Sequence, residues 1–357
     1  MTLILSNDDV ESVLSMPLCL DALEDAYREL AEGRGLSRRR SDSFAPTSRQ
    51  DALYSLKSMD GICPKLGVGA VRINSDIITW PEIGGNARRV KVPSAPNQRY
   101  VGLVLLFSSE TGEPLAIMPD GVMQRLRVGA ANGLGVKYLA RQDARIVGML
   151  GSGWQAGAQA MAVTAVRSIE TIRCFSPTKA NREAFATEMS AKLKTRVVPV
   201  DSPEEAVKGA DIVMCASNTI DPILPARLIE PGQHVSSIKR PELGSDVLKR
   251  CDLVFLHSHD KTPLQLTTKG VVVRELDNDR GWGVAKDIDF DALPALAELI
   301  AGKHKGRTSR DEVTCFVNNV GLGYQFAAAG AVVYREARKR ELGRELPTEW
   351  FTEDVHP

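Results

Sequence analysis

The stretch that most constrains the fold is VGMLGSGWQAGA, residues 147–158, in which two glycines join a short apolar run to a helical segment. From Ala144 onward the chain alternates short apolar segments with helical stretches. Such alternation predicts a parallel sheet with helices on both faces. In that setting, Gly-x-Gly-x-x-Ala after a strand predicts a dinucleotide-binding turn. The alternative is a tight corner without a ligand, and the strand–helix units that follow favour the dinucleotide.

Each small residue of this turn has a physical role in the predicted site. Gly151 permits the tight turn, Gly153 lets the backbone approach a pyrophosphate, and Ala156 lets helix and strand pack closely. The N-terminus of the helix adds free N–H groups and a positive dipole end. We therefore expect the whole turn to contact the cofactor: Gly151, Ser152, Gly153, Trp154, Gln155 and Ala156.

The end of the second predicted strand distinguishes the two nicotinamide cofactors. An NAD site usually carries Asp or Glu there, which binds the ribose hydroxyls. In this chain the strand leads into SPTKANRE, with no acid before Glu183. Hydroxyl and cationic side chains bind a 2′-phosphate, whereas an acid would repel it. We therefore expect NADP, with NAD possible, and contacts from one polar set: Ser176, Thr178, Lys179, Asn181 and Arg182.

The nicotinamide end of the cofactor is expected at the carboxyl ends of later strands, because ligands in open α/β sheets lie in that crevice. The segment VVVREL (271–276) is predicted as a further strand of this sheet. The residues expected along the crevice lie at the carboxyl ends of two earlier predicted strands, DIVMCAS and HVSSI. They are Ala216, Ser217, Asn218, Ile238 and Lys239.

The two ends of the chain predict a different unit, an α+β fold on an antiparallel sheet. SNDD at residues 6–9 predicts a capping box, and the amphipathic helix that follows stops at Gly33. YVGLVLLFSSETGEPLAIMP (100–119) predicts a β-hairpin, whereas GLSRRRSDSFAP (35–46) predicts a basic, polar loop. A last helix is predicted over residues 323–342.

Composition excludes several classes of protein. The 45 basic and 45 acidic side chains balance, which argues against a nucleic-acid-binding protein. No apolar run approaches the length of a membrane span, and the first residues lack the pattern of a signal peptide. The cysteines show no CxxC spacing, and those within predicted strands are expected as buried free thiols. His257 and His259, expected in a polar loop, lack the further ligands of a metal site. We expect a soluble, cytoplasmic protein with no metal.

Five stretches between about residues 100 and 332 resemble the ornithine cyclodeaminase/mu-crystallin family, in the same order. They are GLVLLFSSETGEPLAIM, QRLRVGAANGLGVKYLARQDA, GMLGSGWQA, EEAVKGADIVMCASN and GRTSRDEVTCFVNNVGLGYQFAAAGA. The resemblance implies a homodimer in which both chain ends form one domain around a central Rossmann-like domain. We therefore expect an α/β protein with a Rossmann-like NAD(P)-binding domain over residues 126–315. A dimerisation and substrate domain is expected over residues 1–125 and 316–357.

The resemblance also implies an arginine, in an RTAA-like segment, that holds the substrate carboxylate. This segment reads RVGA here, beginning at Arg127, and an arginine fork suits a carboxylate. Arg125 is the arginine expected at the surface of the same helix. A second basic residue of the family, usually lysine, falls at Gly69 in this chain. The candidates to replace it are Arg72, Lys57 and Lys91.

The largest departure from the family lies in HVSSIKRPELGSD, residues 234–246. Cyclodeaminases of the family carry an aspartate here, which manages the substrate amine, whereas this chain has Lys239 and Arg240. A cationic pair repels an ammonium group, but it can bind a carboxylate or act as an acid toward an imine. Exposed loop residues are the alternative interpretation, and either one disfavours ornithine cyclisation.

Together these features predict an NADP-dependent oxidoreductase of a carboxylate-bearing imino or amino acid. It would be an imine (ketimine) reductase or an amino-acid dehydrogenase. Arg127, helped by Arg72 or a lysine, is expected to position the carboxylate, while a lysine or water supplies the proton. Two alternatives stay open: an ornithine cyclodeaminase-type ammonia lyase, and a mu-crystallin-like protein that binds NADP and a small ligand.

Overall fold

The computed structural model describes residues 1–83, 86–87, 89–219, 221–259, 263–273 and 287–355. In chain order the strands are β1 (Thr2–Ile4), β2 (Leu36–Ser37), β3 (Ser41–Pro46), β4 (Ala52–Cys63), β5 (Val68–Thr79), β6 (Glu82–Ile83), β7 (Asn86–Ala87), β8 (Val90–Val92), β9 (Val101–Ser108), β10 (Pro114–Pro119), β11 (Ile146–Leu150), β12 (Thr171–Phe175), β13 (Arg196–Pro199), β14 (Ile212–Cys215), β15 (His234–Ser237), β16 (Leu253–Leu256), β17 (Leu264–Thr267), β18 (Thr314–Val317) and β19 (Arg344–Leu346). The helices are α1 (Asn7–Val13), α2 (Met16–Ala31), α3 (Gly121–Leu139), α4 (Trp154–Val166), α5 (Lys179–Leu193), α6 (Pro203–Val207), α7 (Ser245–Leu248), α8 (Leu296–Ile300) and α9 (Gly323–Lys339).

The middle of the chain forms a parallel sheet in the order β13-β12-β11-β14-β15-β18-β16. The order reverses next to β11, so the crevice beyond its carboxyl end is the expected ligand position. The predicted α/β class with a Rossmann-like sheet is confirmed. The strand predicted at VVVREL is wrong for residues 271–273, and residues 274–276 lie outside the described residues. Strand β18, which is fully buried, is part of the sheet instead. The apolar character of a segment does not show which strand it will pair with.

Both chain ends contribute to a second, mostly antiparallel sheet in the order β17-β3-β4-β5-β9-β10-β1-β19. The predicted hairpin of β9 and β10 and the capping box of Ser6 and Asp9 are confirmed. The predicted basic loop is wrong in part, because residues 41–46 form β3. Two charges of this segment neutralise each other, because Arg40 binds both carboxylate oxygens of the buried Asp42, at 2.8 and 2.7 Å.

Helix α3 joins the two sheets. It packs on α2 and on α4, and small residues permit the close approach: a Cβ at Gly129 would lie 2.7 Å from the Ala158 carbonyl oxygen. The buried Asn132 donates to Ser236 Oγ at 2.7 Å and to the Ser237 carbonyl at 3.0 Å. Asn132 thereby links α3 to the parallel sheet. On its other side, α3 shares one apolar core with α2, α9 and the antiparallel sheet.

In the described part of the chain, no helix is both long and apolar enough to cross a bilayer. All six cysteines are free thiols, and five of them are buried, whereas Cys251 is half-buried. The division into domains at 125/126 and 315/316 stays a prediction.

Candidate active site

The glycine turn has the geometry of a phosphate cradle. Gly151 has φ +135°, and a Cβ there would lie 2.1 Å from the Ala216 carbonyl oxygen, so only glycine fits. Gly153, the N-cap of α4, is different: a Cβ there would meet no atom of the described residues within 4 Å. Packing therefore does not explain Gly153, whereas open space at a helix N-terminus suits a bound anion. The turn fits a dinucleotide pyrophosphate.

Side chains at the end of β12 border this turn. Ser152 Oγ donates to Ser176 Oγ at 2.8 Å. Arg182 is 7 % exposed; its guanidinium donates to the Ser176 carbonyl at 3.0 Å and forms an ion pair with Asp201. Arg182 thus holds the loop, and its direct contact with a cofactor stays a prediction. Three neighbours have side chains at the surface, where a 2′-phosphate can reach them: Thr178, Lys179 and Asn181.

The arginine expected at the surface, Arg125, is 7 % exposed, so that expectation is wrong. Its guanidinium carbon lies 3.8 Å from the centroid of the Trp154 ring, and its Nε donates to the Trp154 carbonyl at 3.1 Å. The indole covers the charge from above and is itself 60 % exposed. Among the described residues, Gln155 Oε1 is buried without a hydrogen-bond partner. Trp154 and Gln155 are the first two residues of α4.

A buried acid that the sequence did not predict, Glu242, joins the loops that follow β14 and β15. Glu242 accepts from the Ser217 N–H at 2.6 Å, from Ser217 Oγ at 2.9 Å and from the Ile238 N–H at 2.9 Å. Burial raises the pKa of Glu242 above its usual range. Ala216 is buried beneath Gly151, and Asn218 is exposed beside Ser217. Glu242 lies in the segment HVSSIKRPELGSD. No local sequence pattern indicates that it binds Ser217, which lies 25 positions earlier in the chain.

Arg127 is a buried cation whose partners are neutral. Its guanidinium donates to Gln124 Oε1 at 2.7 and 3.2 Å and to Gln325 Oε1 at 3.0 Å. Within the described part of the chain it forms no ion pair with a carboxylate. Burial, with Arg72 nearby, lowers the pKa of Arg127 to about 9. The carboxylate of Asp120 also attracts Arg127, but it is paired with Arg72, so an anion bound at Arg127 would offset the cost of burying its charge.

Arg72 lies beside Arg127, with both guanidinium carbons near the Phe326 ring, at 5.3 and 5.2 Å from its centroid. Arg72 is paired: its Nε and Nη2 lie 2.7 and 2.6 Å from Asp120 Oδ2. Asn74 donates to the same oxygen at 3.0 Å. Arg72 therefore places a second guanidinium beside Arg127. Asp120, which the sequence did not predict, holds the guanidinium of Arg72 in position.

The two candidate lysines share one carboxylate. Lys57 and Lys91 lie 3.2 and 3.0 Å from Asp76 Oδ2. Lys57 is 6 % exposed, stands opposite Asn74 across the β4–β5 pair, and so lies on the face that carries Arg72. Burial, with the nearby Arg89 charge as the second cause, lowers the pKa of Lys57 to about 7. Lys91 is half-exposed, which makes Lys57 the better candidate for proton transfer.

The sequence model of the ornithine cyclodeaminase/mu-crystallin family matches residues 1–341. The chain belongs to that family. It is 30% identical over 346 residues to an uncharacterised cyclodeaminase, y4tK, of Sinorhizobium fredii, covering 92% of this chain and 94% of the relative. It is also 30% identical over 250 residues to a Δ1-pyrroline-2-carboxylate reductase of Bacillus cereus, covering 69% and 74% of the two chains. A solved structure of Thermococcus litoralis Δ1-pyrroline-2-carboxylate reductase with NADH and L-proline superposes with TM-score 0.77, at 27% identity, covering 97% of this chain and 100% of that one.

Two departures from the ornithine cyclodeaminase/mu-crystallin family can now be placed. Gly69 lies on the face of β5 opposite to Arg72, because neighbouring strand residues alternate. Lys239 and Arg240 are half-buried rather than fully exposed, and the Lys239 ammonium group donates to the Thr219 carbonyl. The cation at Lys239 therefore lies at the crevice beside Ser217 and Ile238.

The histidine pair separates in the structure. Both follow the edge strand β16 in a loop, as expected, but His257 is 1 % exposed, whereas His259 is about half exposed. No group of three His, Cys, Asp or Glu residues that could hold a metal occurs among the described residues.

Proposed function

We propose that this protein is an NADP-dependent imine reductase or amino-acid dehydrogenase whose substrate carries a carboxylate, with NAD as the alternative cofactor. The observation that carries the proposal is Arg127, a buried guanidinium with only amide partners, next to Arg72. Such a fork binds a carboxylate in two parallel hydrogen bonds. Relatives named as Δ1-pyrroline-2-carboxylate reductases support an imino acid as the substrate class.

The cofactor would be held by the turn from Gly151 to Ala156, with its adenosine end toward Thr178 and Lys179. The absence of an acid at Ser176 supports NADP. When bound, the nicotinamide supplies a hydride to the substrate carbon or accepts one from it. Ser217 and Ile238, fixed by Glu242, would form the wall of the crevice at that end.

Lys57 is the residue we assign to proton transfer. A pKa near 7 allows its ammonium group to release a proton at neutral pH, and Asp76 and Lys91 adjust that value. In the direction of reduction, Lys57 would protonate the substrate nitrogen as the amine forms.

A homodimer is part of the proposal. The face of the antiparallel sheet that points away from the helices carries exposed apolar side chains. Those more than a third exposed include Leu56, Ile62, Val101 and Leu103. A contiguous apolar face of this kind supports an interface with a second copy.

The test mixes the protein with Δ1-pyrroline-2-carboxylate and NADPH or NADH, and follows both cofactor absorbance and proline. A reductase oxidises one dinucleotide for each proline formed. The cyclodeaminase alternative predicts ammonia from ornithine with no net change in the cofactor. The binding-protein alternative predicts tight NADPH binding without turnover of any imino acid. Either of the last two results would overturn the proposal.

A further inference from the structure

A chain of buried hydrogen bonds leads away from Arg127 through Gln325. Gln325 Nε2 donates to Tyr27 Oη at 3.0 Å, and Tyr27 Oη lies 2.6 Å from His257 Nε2. His257 Nδ1 bonds to the Val320 carbonyl oxygen. Tyr27, His257 and Gln325 are each 1 % exposed, so water does not compete with these bonds.

The chemistry of the partners gives every bond one direction. A carbonyl oxygen only accepts, so the proton of His257 is on Nδ1, facing Val320. Burial lowers the pKa of His257 to about 4, and the neutral ring therefore accepts at Nε2 from the Tyr27 hydroxyl. The hydroxyl oxygen in turn accepts from the Gln325 amide nitrogen.

The amide of Gln325 is consequently held in one orientation. Its Oε1 faces two donors, Arg127 Nη1 at 3.0 Å and the Leu322 N–H at 3.2 Å, while its Nε2 faces Tyr27. A flipped amide would turn its N–H groups toward both donors and break all of these bonds. The position of the Arg127 fork thus depends on a hydroxyl and a ring that do not touch it.

We propose that Tyr27 and His257 are positioning residues for substrate carboxylate recognition: through Gln325 they set the direction of the Arg127 guanidinium. The inference rests on the proposed function, in which Arg127 binds a carboxylate. It gives His257, which the reaction does not otherwise use, a defined role. The four residues come from α2, α3, α9 and the end of β16, so the network also ties the parallel sheet to the carboxylate site.

The test compares Tyr27→Phe with Tyr324→Phe. Both tyrosines are 1 % exposed and both substitutions remove one buried hydroxyl, but Tyr324 lies outside the network and accepts a hydrogen bond from Cys63. The probes are Δ1-pyrroline-2-carboxylate and 1-pyrroline, which lacks the carboxylate. For Tyr27→Phe we expect the ratio of kcat/KM on the two probes to fall about tenfold, through KM for the carboxylate probe. For Tyr324→Phe the ratio should equal that of the wild type.

A loss of stability without a change of ratio in Tyr27→Phe, or equal changes in both variants, would overturn the inference. If Tyr27→Phe does not fold, His257→Phe keeps a ring but removes the acceptor of the Tyr27 hydroxyl, and it should give the same fall in ratio; an unchanged ratio there counts against the inference.

Binding of pyrrole-2-carboxylate, measured by titration calorimetry, separates this inference from the proposed function. If the wild type reduces neither probe but binds this anion, the proposed function fails, and a tenfold weaker affinity in Tyr27→Phe alone still supports the positioning role. A wild type that binds no carboxylate overturns both.

Discussion

Gly151 and Gly153 stand one residue apart and differ in what a methyl group would meet. Gly151→Ala places a Cβ on the Ala216 carbonyl oxygen at a strained φ, so we expect it to lower the free energy of unfolding by about 3 kcal/mol or more. Gly153→Ala meets open space, so its Tm should stay near that of the wild type. Its affinity for NADPH should nevertheless fall roughly tenfold, because the methyl group occupies the path of the pyrophosphate. Thermal melts and NADPH titrations of both variants check this pair, and a Gly153→Ala protein with unchanged affinity would contradict the assignment of the turn.

Arg127 and Arg167 are both buried arginines without a carboxylate partner in the described residues, but their surroundings differ. Arg167 donates to main-chain carbonyls, including those of Val136 and Ala140 at the end of α3, and so serves the fold. Arg127→Lys should raise KM for a carboxylate substrate roughly 10- to 100-fold with little change in Tm. Arg167→Lys should lower Tm and leave KM unchanged. Steady-state kinetics and melting curves of the two variants decide between the roles, and the reverse pattern would refute them.

At the scale of residues, a local pattern of residue types predicts the glycine turn, and the resemblance to the family predicts Arg127. It does not identify Gln325, Asp120 or Glu242, whose partners lie 198, 48 and 25 positions away along the chain. The role of such an acid or amide depends on a partner that only the folded chain brings near it. No local spacing of residues in the sequence predicts such a long-range contact.

Strands β4, β5 and β8 together set the charge state of Lys57. Burial and the Arg89 and Lys91 charges lower its pKa to about 7, while Asp76 and Asp42 oppose that shift. Below pH 7 Lys57 is charged and can donate; above it the neutral amine cannot. We therefore expect kcat/KM for reduction to fall as the pH rises through about 7, and Lys57→Met to lose this inflection together with about 100-fold in rate.

Lys91→Met is the matched variant on the same carboxylate. Removing a like charge raises the pKa of Lys57, so the inflection should move to higher pH and not disappear. A pH profile that is the same in the wild type and Lys57→Met would assign the inflection to another group.

Elements defined by local periodicity are predictable from this sequence. Helices α4 and α5 end where the helical pattern of apolar residues ends in the sequence, at Val166 and Leu193. The failures are β3 and β18, whose strand character depends on neighbours. The charged segment of β3 becomes a strand because Arg40 and Asp42 neutralise each other and β4 and β17 pair on both sides.

The whole molecule exposes an apolar sheet face that we assign to dimerisation. Leu103, 38 % exposed on β9, lies on that face, whereas Leu18, 37 % exposed, lies on α2. Leu103→Asp should convert a dimer into a monomer, because it places a charge in an apolar interface, and Leu18→Asp should not. Analytical ultracentrifugation gives the mass directly. A wild-type monomer, or a Leu103→Asp dimer of unchanged affinity, would rule out this face as the interface.

We propose that this chain transfers a hydride to the α-carbon of an imino acid. A direct measurement supplies NADPH with deuterium at both C4 positions of the nicotinamide, together with Δ1-pyrroline-2-carboxylate, and determines the mass of the proline formed. We expect proline carrying one deuterium at the α-carbon with the wild type, and far less of it with Arg127→Lys. Unlabelled proline, or no proline at all, would contradict hydride transfer to this carbon.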